Sequence, residues 1–265
     1  MKRLKVYRHK NENIIQTNET VIDQVISVFK DSDSNYGSRR IRDELKKLNI
    51  NLSIPKIRQI MAKNGLYSVY NNAKYKKKQN YNKTNKDDIG NKLDRQFDNK
   101  ERYEVIVSDL TYVKVAGKWN YICVLIDLFN REIVGHMARP KKDADLVVAT
   151  IYNSNIPLNK VKMFHTDRGS EFKNNKIDNI LQAFGIERSL SNAGNPYDNA
   201  VAERTYLTIK REFVRKQNFE SLNVLNLKLN KYIKWYNNKR LHSKLNNMSP
   251  VEYWNSVKFQ VVSNT

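Results

Sequence analysis

Asp109, Asp167 and Glu203 are acids of the type and placement that metal-assisted phosphoryl transfer requires. Asp109 closes the apolar run Val105-Ile106-Val107-Ser108. Asp167 sits within Phe164-His165-Thr166-Asp167-Arg168-Gly169-Ser170-Glu171-Phe172, and Glu203 follows Asp198-Asn199-Ala200-Val201-Ala202, with residues 168–202 between the last two acids. Magnesium takes oxygen ligands in a near-octahedral shell, usually one or two carboxylates plus phosphate oxygens and water. Two such ions about 4 Å apart ready an attacking oxygen and stabilise a leaving one. Crowded carboxylates raise one another's pKa, so rigid elements must hold them. Taken singly, each residue has a plainer meaning. An aspartate after a strand is usually a turn or cap residue, and a helical glutamate is usually solvated. Together, in a chain of formal charge +21, they point to an enzyme acting on a polyanion.

The elements that would carry these acids can be read from periodicity. Residues 1–67 read as a helical, helix-turn-helix-like module. Val21, Ile22, Val25, Ile26 and Phe29 recur at helical spacing; Ile41, Leu45 and Leu48 share a face of a second helix; Ile57, Ile60 and Met61 point inward from a third, capped by Ser53 and stopped near Gly65. Residues 68–100 turn polar and lysine-rich and read as a basic linker. Residues 101–218 read as a catalytic core. Tyr103–Val115, Trp119–Asp127 and Glu132–Met137 form an antiparallel meander turning at Ala116-Gly117-Lys118. A helix capped by Asp143, a strand over Val161–His165, a helix closed by Gly185, a strand over Ile186–Leu190 and a helix from Ala200 follow. Residues 219–265 read as a helical extension, with Ser221 as one cap and Ser249-Pro250-Val251-Glu252 as a capping box. Strand-strand-strand-helix-strand-helix-strand-helix is the order of an α/β, ribonuclease-H-like fold with a five-stranded mixed sheet.

Composition narrows the partners. Lys+Arg 48 against Asp+Glu 27 suits nucleic acid or an anionic surface. The longest apolar stretch, Tyr121–Ile126, falls far short of the ~20 residues of a spanning helix. No signal segment opens the sequence, and a cytosolic location is the expectation. The single cysteine, Cys123, excludes a disulfide within the chain.

The flanks of the three acids resemble a known family. His165-Thr166-Asp167-Arg168-Gly169-Ser170-Glu171-Phe172 resembles His-Ser-Asp-x-Gly-x-Gln-Tyr, and Asp198-Asn199-Ala200 with Glu203 resembles Asp-Asn-Ala-x-x-Glu. Tyr236-Asn237-Asn238-Lys239-Arg240-Leu241-His242 resembles Tyr-Asn-x-x-Arg-x-His, and Pro250–Tyr253 resembles Pro-x-Glu-Tyr. These are motifs of the DDE transposases and integrases, in particular the downstream-frame proteins of the IS-three group of insertion sequences. Ile106 departs from the pattern, which usually has tryptophan there.

The resemblance implies an integrase-type core whose first and fourth strands are neighbours, so that Asp109 and Asp167 meet. It implies catalytic, metal-ligating roles for Asp109, Asp167 and Glu203, with Mg2+, or alternatively Mn2+, as cofactor. Double-stranded DNA would be cleaved and joined through attack by a 3′-OH. Lys210, seven residues after Glu203, would contact DNA near the scissile phosphate. Further candidate DNA contacts are Arg39, Arg40, Lys76, Lys77, Lys78 and Arg240, although packing is an equal alternative for Arg240. Self-association and a partner helix-turn-helix protein from an upstream frame are also implied. The scattered histidines His9, His136, His165 and His242 cannot make a retroviral-type zinc module with one cysteine. A non-catalytic DNA-binding regulator or inactive remnant, and a ribonuclease-H-like nuclease, remain alternatives at the level of sequence.

Overall fold

A computed structural model describes residues 20–70 and 89–263, which fall into two compact units. In the first unit, α1 (residues 20–31), α2 (Ser38–Lys47) and α3 (Ile54–Lys63) enclose Val25, Phe29, Tyr36, Ile41, Leu45, Ile57, Ile60 and Met61. Ser53 accepts a hydrogen bond from the Lys56 N–H at 3.3 Å, satisfying a donor that the first helical turn leaves free. Gly65 adopts φ +64° just past α3, a conformation glycine takes without penalty. Leu48 departs from expectation. It stands at the cap after α2 and is 52% exposed, because the helix ends before it can turn the side chain inward.

In the second unit, β1 (Val105–Val115), β2 (Lys118–Asp127), β3 (Ile133–Arg139), β4 (Met163–Thr166) and β5 (Glu187–Leu190) form one sheet in the order β3-β2-β1-β4-β5. The β1–β2 and β2–β3 pairs are antiparallel, while β1–β4 and β4–β5 are parallel. Ala116 and Gly117, both at positive φ, make the tight hairpin turn whose twist matches the strands. The helices are α4 (Ala144–Tyr152), α5 (Asn175–Ala183), α6 (Ala200–Glu212), α7 (Leu222–Asn238) and α8 (Pro250–Ser263).

The central strand β2 is buried on both faces, as its unbroken apolar run requires. Ile122, Val124 and Ile126 pack with residues of α6 and α7. Cys123 and Leu125 pack with residues of α4 and α5. Side-chain caps hold the helix starts. Asp143 accepts from Leu146 N–H, Ser221 from Val224 N–H, and Ser249 and Glu252 exchange the two bonds of a capping box.

Where described, the two ends of the expected linker pack against the units they adjoin. At its front, Ser68 is buried and the Val69 N–H bonds the Ser34 carbonyl. At its rear, Leu93 is buried in the main core, and the N–H groups of Lys92 and Leu93 both donate to Ser189 Oγ. Phe97 packs against the same core, and Arg95 and Asp98 pair with Asp198 and Arg131.

Candidate active site

The parallel pairing of β1 with β4 sets Val107 opposite His165. Asp109 and Asp167 each lie two residues beyond that pair, so the register carries both to the same level, just past the carboxyl end of β4. Asp109 is within β1, opposite Val124 on β2, and Asp167 directly follows β4. Both are half-buried. Burial pushes the Asp109 carboxyl up to about 7, helped by the charge of Asp167 and then of Glu203 and Glu171, against a bond from the Leu110 N–H. Burial also raises Asp167, with repulsion from Glu171 and Glu203, opposed by the Gly169 N–H at 2.9 Å and by the Lys142 charge. Four carboxylates thus share one electrostatic field.

Glu203 occupies the first turn of α6. That helix is fixed against the sheet by Ala202, Tyr206, Ile209 and Phe213. Tyr206 reaches between two strands, accepting from the Val124 N–H at 2.8 Å and donating to the Asp109 carbonyl. Just before α6, the Asn199 side-chain amide donates to the Ser108 carbonyl at 3.0 Å. Asp198 is fully buried and accepts from Arg95 and from the Asn192 N–H. It ties the 191–198 loop to the incoming segment.

Glu171 and Lys142 extend the site. The Lys142 ammonium lies 2.9 Å from Glu171 Oε1, with the lysine half-exposed and the carboxylate buried. Gly169 leaves room for that carboxylate, since a Cβ at 169 would stand 2.4 Å from Glu171 Oε1. His165 is fully buried between Ser189 Oγ at 2.8 Å and Ser191 Oγ at 3.2 Å. Burial lowers it to about 4, so it is a neutral brace at physiological pH. On the far side, Lys210 places its Nζ 4.0 Å from the centre of the Tyr112 ring. Burial lowers its pKa, while the Asp109 charge raises it.

Residues 99–196 match the Integrase core domain family, residues 184–250 match a second Integrase core domain family, and residues 16–74 match an HTH-like domain. Over 240 residues the chain is 30% identical to the transposase for insertion sequence element IS904 of Lactococcus lactis, covering 89% of this chain and 93% of that one. The chain belongs to the insertion-sequence transposases.

The transposase is also 27% identical to the putative transposase InsK of IS150 from Escherichia coli over 88% of this chain and 82% of that one. Against InsF of IS3A from the same species it is 26% identical, over 87% and 81%. These relatives place it with the IS-three group that its motifs resemble. Among solved structures, the catalytic core of BIV integrase is similar at TM-score 0.46 and 20% identity, covering 60% of this chain and 99% of that one.

The transposase brings Asp109, Asp167 and Glu203 into one field. Among the described residues, however, no group of three or more His, Cys, Asp or Glu side chains stands close enough to hold one metal ion. Arg240 is a correction. It is 4% exposed and grips both oxygens of the buried Glu212 at 2.8 Å, so the packing alternative is the one realised. Arg40 stacks within 6.0 Å of the Tyr36 and Tyr70 rings, whereas Arg39 is exposed. Lys76, Lys77 and Lys78 lie outside the described residues. Tyr206, Asn199, Glu171 and Lys142 were not singled out from sequence. Glu171 and Asn199 do stand inside the quoted family motifs, which is the signal that could have found them; Tyr206 and Lys142 carry none. Among the described residues no helix is long and apolar enough to cross a membrane.

Proposed function

We propose that Asp109, Asp167 and Glu203 form the catalytic triad of this transposase and hold divalent cations, Mg2+ or alternatively Mn2+. The observation that carries this reading is the β1–β4 register, which sets Asp109, midway along β1, level with Asp167 just past β4, with Glu203 on the first turn of α6. The donor set fits. It offers hard oxygen ligands only, and the carboxyls of Asp109 and Asp167, raised first by burial and then by neighbouring carboxylates, are ones whose charged forms a divalent cation would stabilise. Closing three acids on one ion requires side-chain rotation at this site. When bound, the cations activate the attacking oxygen and stabilise the leaving one.

The remaining work falls to the chain itself. Lys210 offers a positive charge beside Asp109 for the scissile phosphate. Water attacks phosphorus first, freeing a 3′-OH at the element end; that hydroxyl then attacks the target strand. No covalent enzyme intermediate is needed. Tyr206 and Asn199 keep α6 in register with β1 through both steps.

DNA would be gripped mainly through phosphates, making binding steeply salt-dependent. In the helical unit, exposed Arg39 on α2 and exposed Lys56, Arg58 and Lys63 on α3 are the contact candidates. Self-association and pairing with an upstream-frame helix-turn-helix protein complete the reading. The test is strand transfer on DNA carrying the element's ends, with the upstream-frame product present. An Asp167→Asn protein should lose joining while still binding DNA; wild-type joining by that variant would end the assignment.

A further inference from the structure

The outer part of the β1–β2 hairpin carries aromatic rings that the fold does not bury. Tyr112 and Lys114 alternate with the buried Val113 and Val115, and the register sets Lys114 opposite Trp119. Tyr112 is 53% exposed and Trp119 is 52% exposed. Their rings meet edge to face with centroids 5.1 Å apart. A lysine flanks each ring: Lys114 Nζ lies 5.1 Å from the Trp119 ring centre, and Lys210 Nζ lies 4.0 Å from that of Tyr112. The row therefore reads Lys114, Trp119, Tyr112, Lys210. Tyr112 lies three residues beyond Asp109 on β1, and Lys210 lies two turns beyond Glu203 on α6, so the row starts near the carboxylate centre and runs outward along the hairpin.

Clustered large rings in water mark an interaction surface more often than a packing remnant. Cations at both ends select an anionic partner, and exposed rings select one with flat π faces. Unpaired nucleotides meet both demands, with phosphates on the lysines and bases on the rings. Duplex DNA meets only the first, because its base faces are stacked on one another. A second copy of this chain, itself strongly basic, would set like charges together.

We propose that Tyr112 and Trp119, with Lys114 and Lys210, form a platform that receives unpaired nucleotides at a DNA end beside the carboxylate centre. This rests on the reading of that centre as the transposition site.

The test compares metal-free full-length protein binding a duplex with a short 3′ oligothymidine overhang and the same duplex made blunt. Wild type should prefer the overhang. Trp119→Ala and Tyr112→Ala should each weaken overhang binding by about five- to a hundredfold, the range that base–aromatic stacking supports, and leave blunt-duplex affinity unchanged, with a cooperative thermal transition reporting that the variant is folded. Lys114→Ala should weaken both ligands and reduce the salt slope by roughly one. Overhang binding at wild-type strength by both aromatic variants, folded by their Tm, overturns the proposal. So does a wild type without overhang preference, or a change in sedimentation mass with DNA binding intact, which would make the patch a self-association surface. Failure of the catalytic reading is separate: it appears as strand joining by Asp167→Asn and leaves these affinities unaltered.

Discussion

The Tyr206 hydroxyl bridges Val124 and Asp109, accepting from the backbone N–H of the first and donating to the backbone carbonyl of the second. Tyr206 lies one turn beyond Glu203 on α6, so a single side chain links the helix carrying one acid to the strand carrying another. Tyr206→Phe keeps the ring and removes both hydrogen bonds of the bridge. A typical hydrogen bond contributes about 0.5–1.5 kcal/mol. Urea denaturation should therefore show a lower midpoint, and strand transfer should need more Mg2+ because Asp109 and Glu203 are less well aligned. A wild-type midpoint and wild-type Mg2+ dependence together would contradict the bridging role.

Asp109 makes stability depend on pH in a direction unusual for an acid. Its folded value is about 7 against an ordinary 3.8, so between those values the folded state holds the proton more tightly than the unfolded state. Metal-free protein should then lose stability as pH rises through this window, by about 3 kcal/mol between pH 5 and pH 8 from this group. Asp127, raised to about 6, acts in the same direction over its lower part. His165, lowered to about 4, acts oppositely below its ordinary 6.5. Comparing wild type with Asp109→Asn in chelator isolates the Asp109 share. Parallel stability curves for the two proteins would show that the carboxyl is not perturbed.

Much of this site was legible because its signals are local. Ser53, Asp143, Ser221 and Ser249 announce helix starts through hydrogen bonds made within three residues, and the alternation of β1 and the apolar run of β2 announce strands. Adjacency of Asp109 and Asp167 is different in kind. It depends on β1 pairing with β4 across more than fifty residues, and the family motifs implied it where spacing did not. What stayed hidden were residues whose meaning is set by distant partners. Tyr206 reads as one more apolar position on a helix. Leu93 is lost among lysines and asparagines. For Arg240 the sequence leaves packing and DNA contact as equals until Glu212 is found beside it, 28 residues away.

The Arg240–Glu212 pair should be structural. Both side chains are buried, and Tyr232 donates to the same carboxylate at 3.1 Å. Removing one member of a buried pair leaves an uncompensated charge, at a cost of about 3–5 kcal/mol. Arg240→Met should thus lower the denaturation midpoint sharply, and Arg240→Met with Glu212→Leu should recover much of it. The salt slope of DNA binding, measured on folded protein at low temperature, should stay at the wild-type value. A slope smaller by about one would return Arg240 to the phosphate contacts.

Lys142 presents the remaining question of sign. Its ammonium pairs with Glu171 and opposes the rise that burial imposes on Asp167, so it already offsets part of the charge that a divalent cation would neutralise. If the lysine competes with that cation, Lys142→Met should tighten Mn2+ binding by about three- to tenfold, as expected for losing one nearby, partly solvated charge. The measurement is calorimetric titration with MnCl2 at pH 8, above the Asp109 value, where proton competition is small. Gly169→Ala supplies the complementary case. Its Cβ would collide with the Glu171 carboxylate, displacing it from Lys142 and turning the freed ammonium toward Asp167, so Mn2+ binding should weaken. Weaker binding in Lys142→Met would instead mean that the lysine supports the acid cluster by holding Glu171 in place.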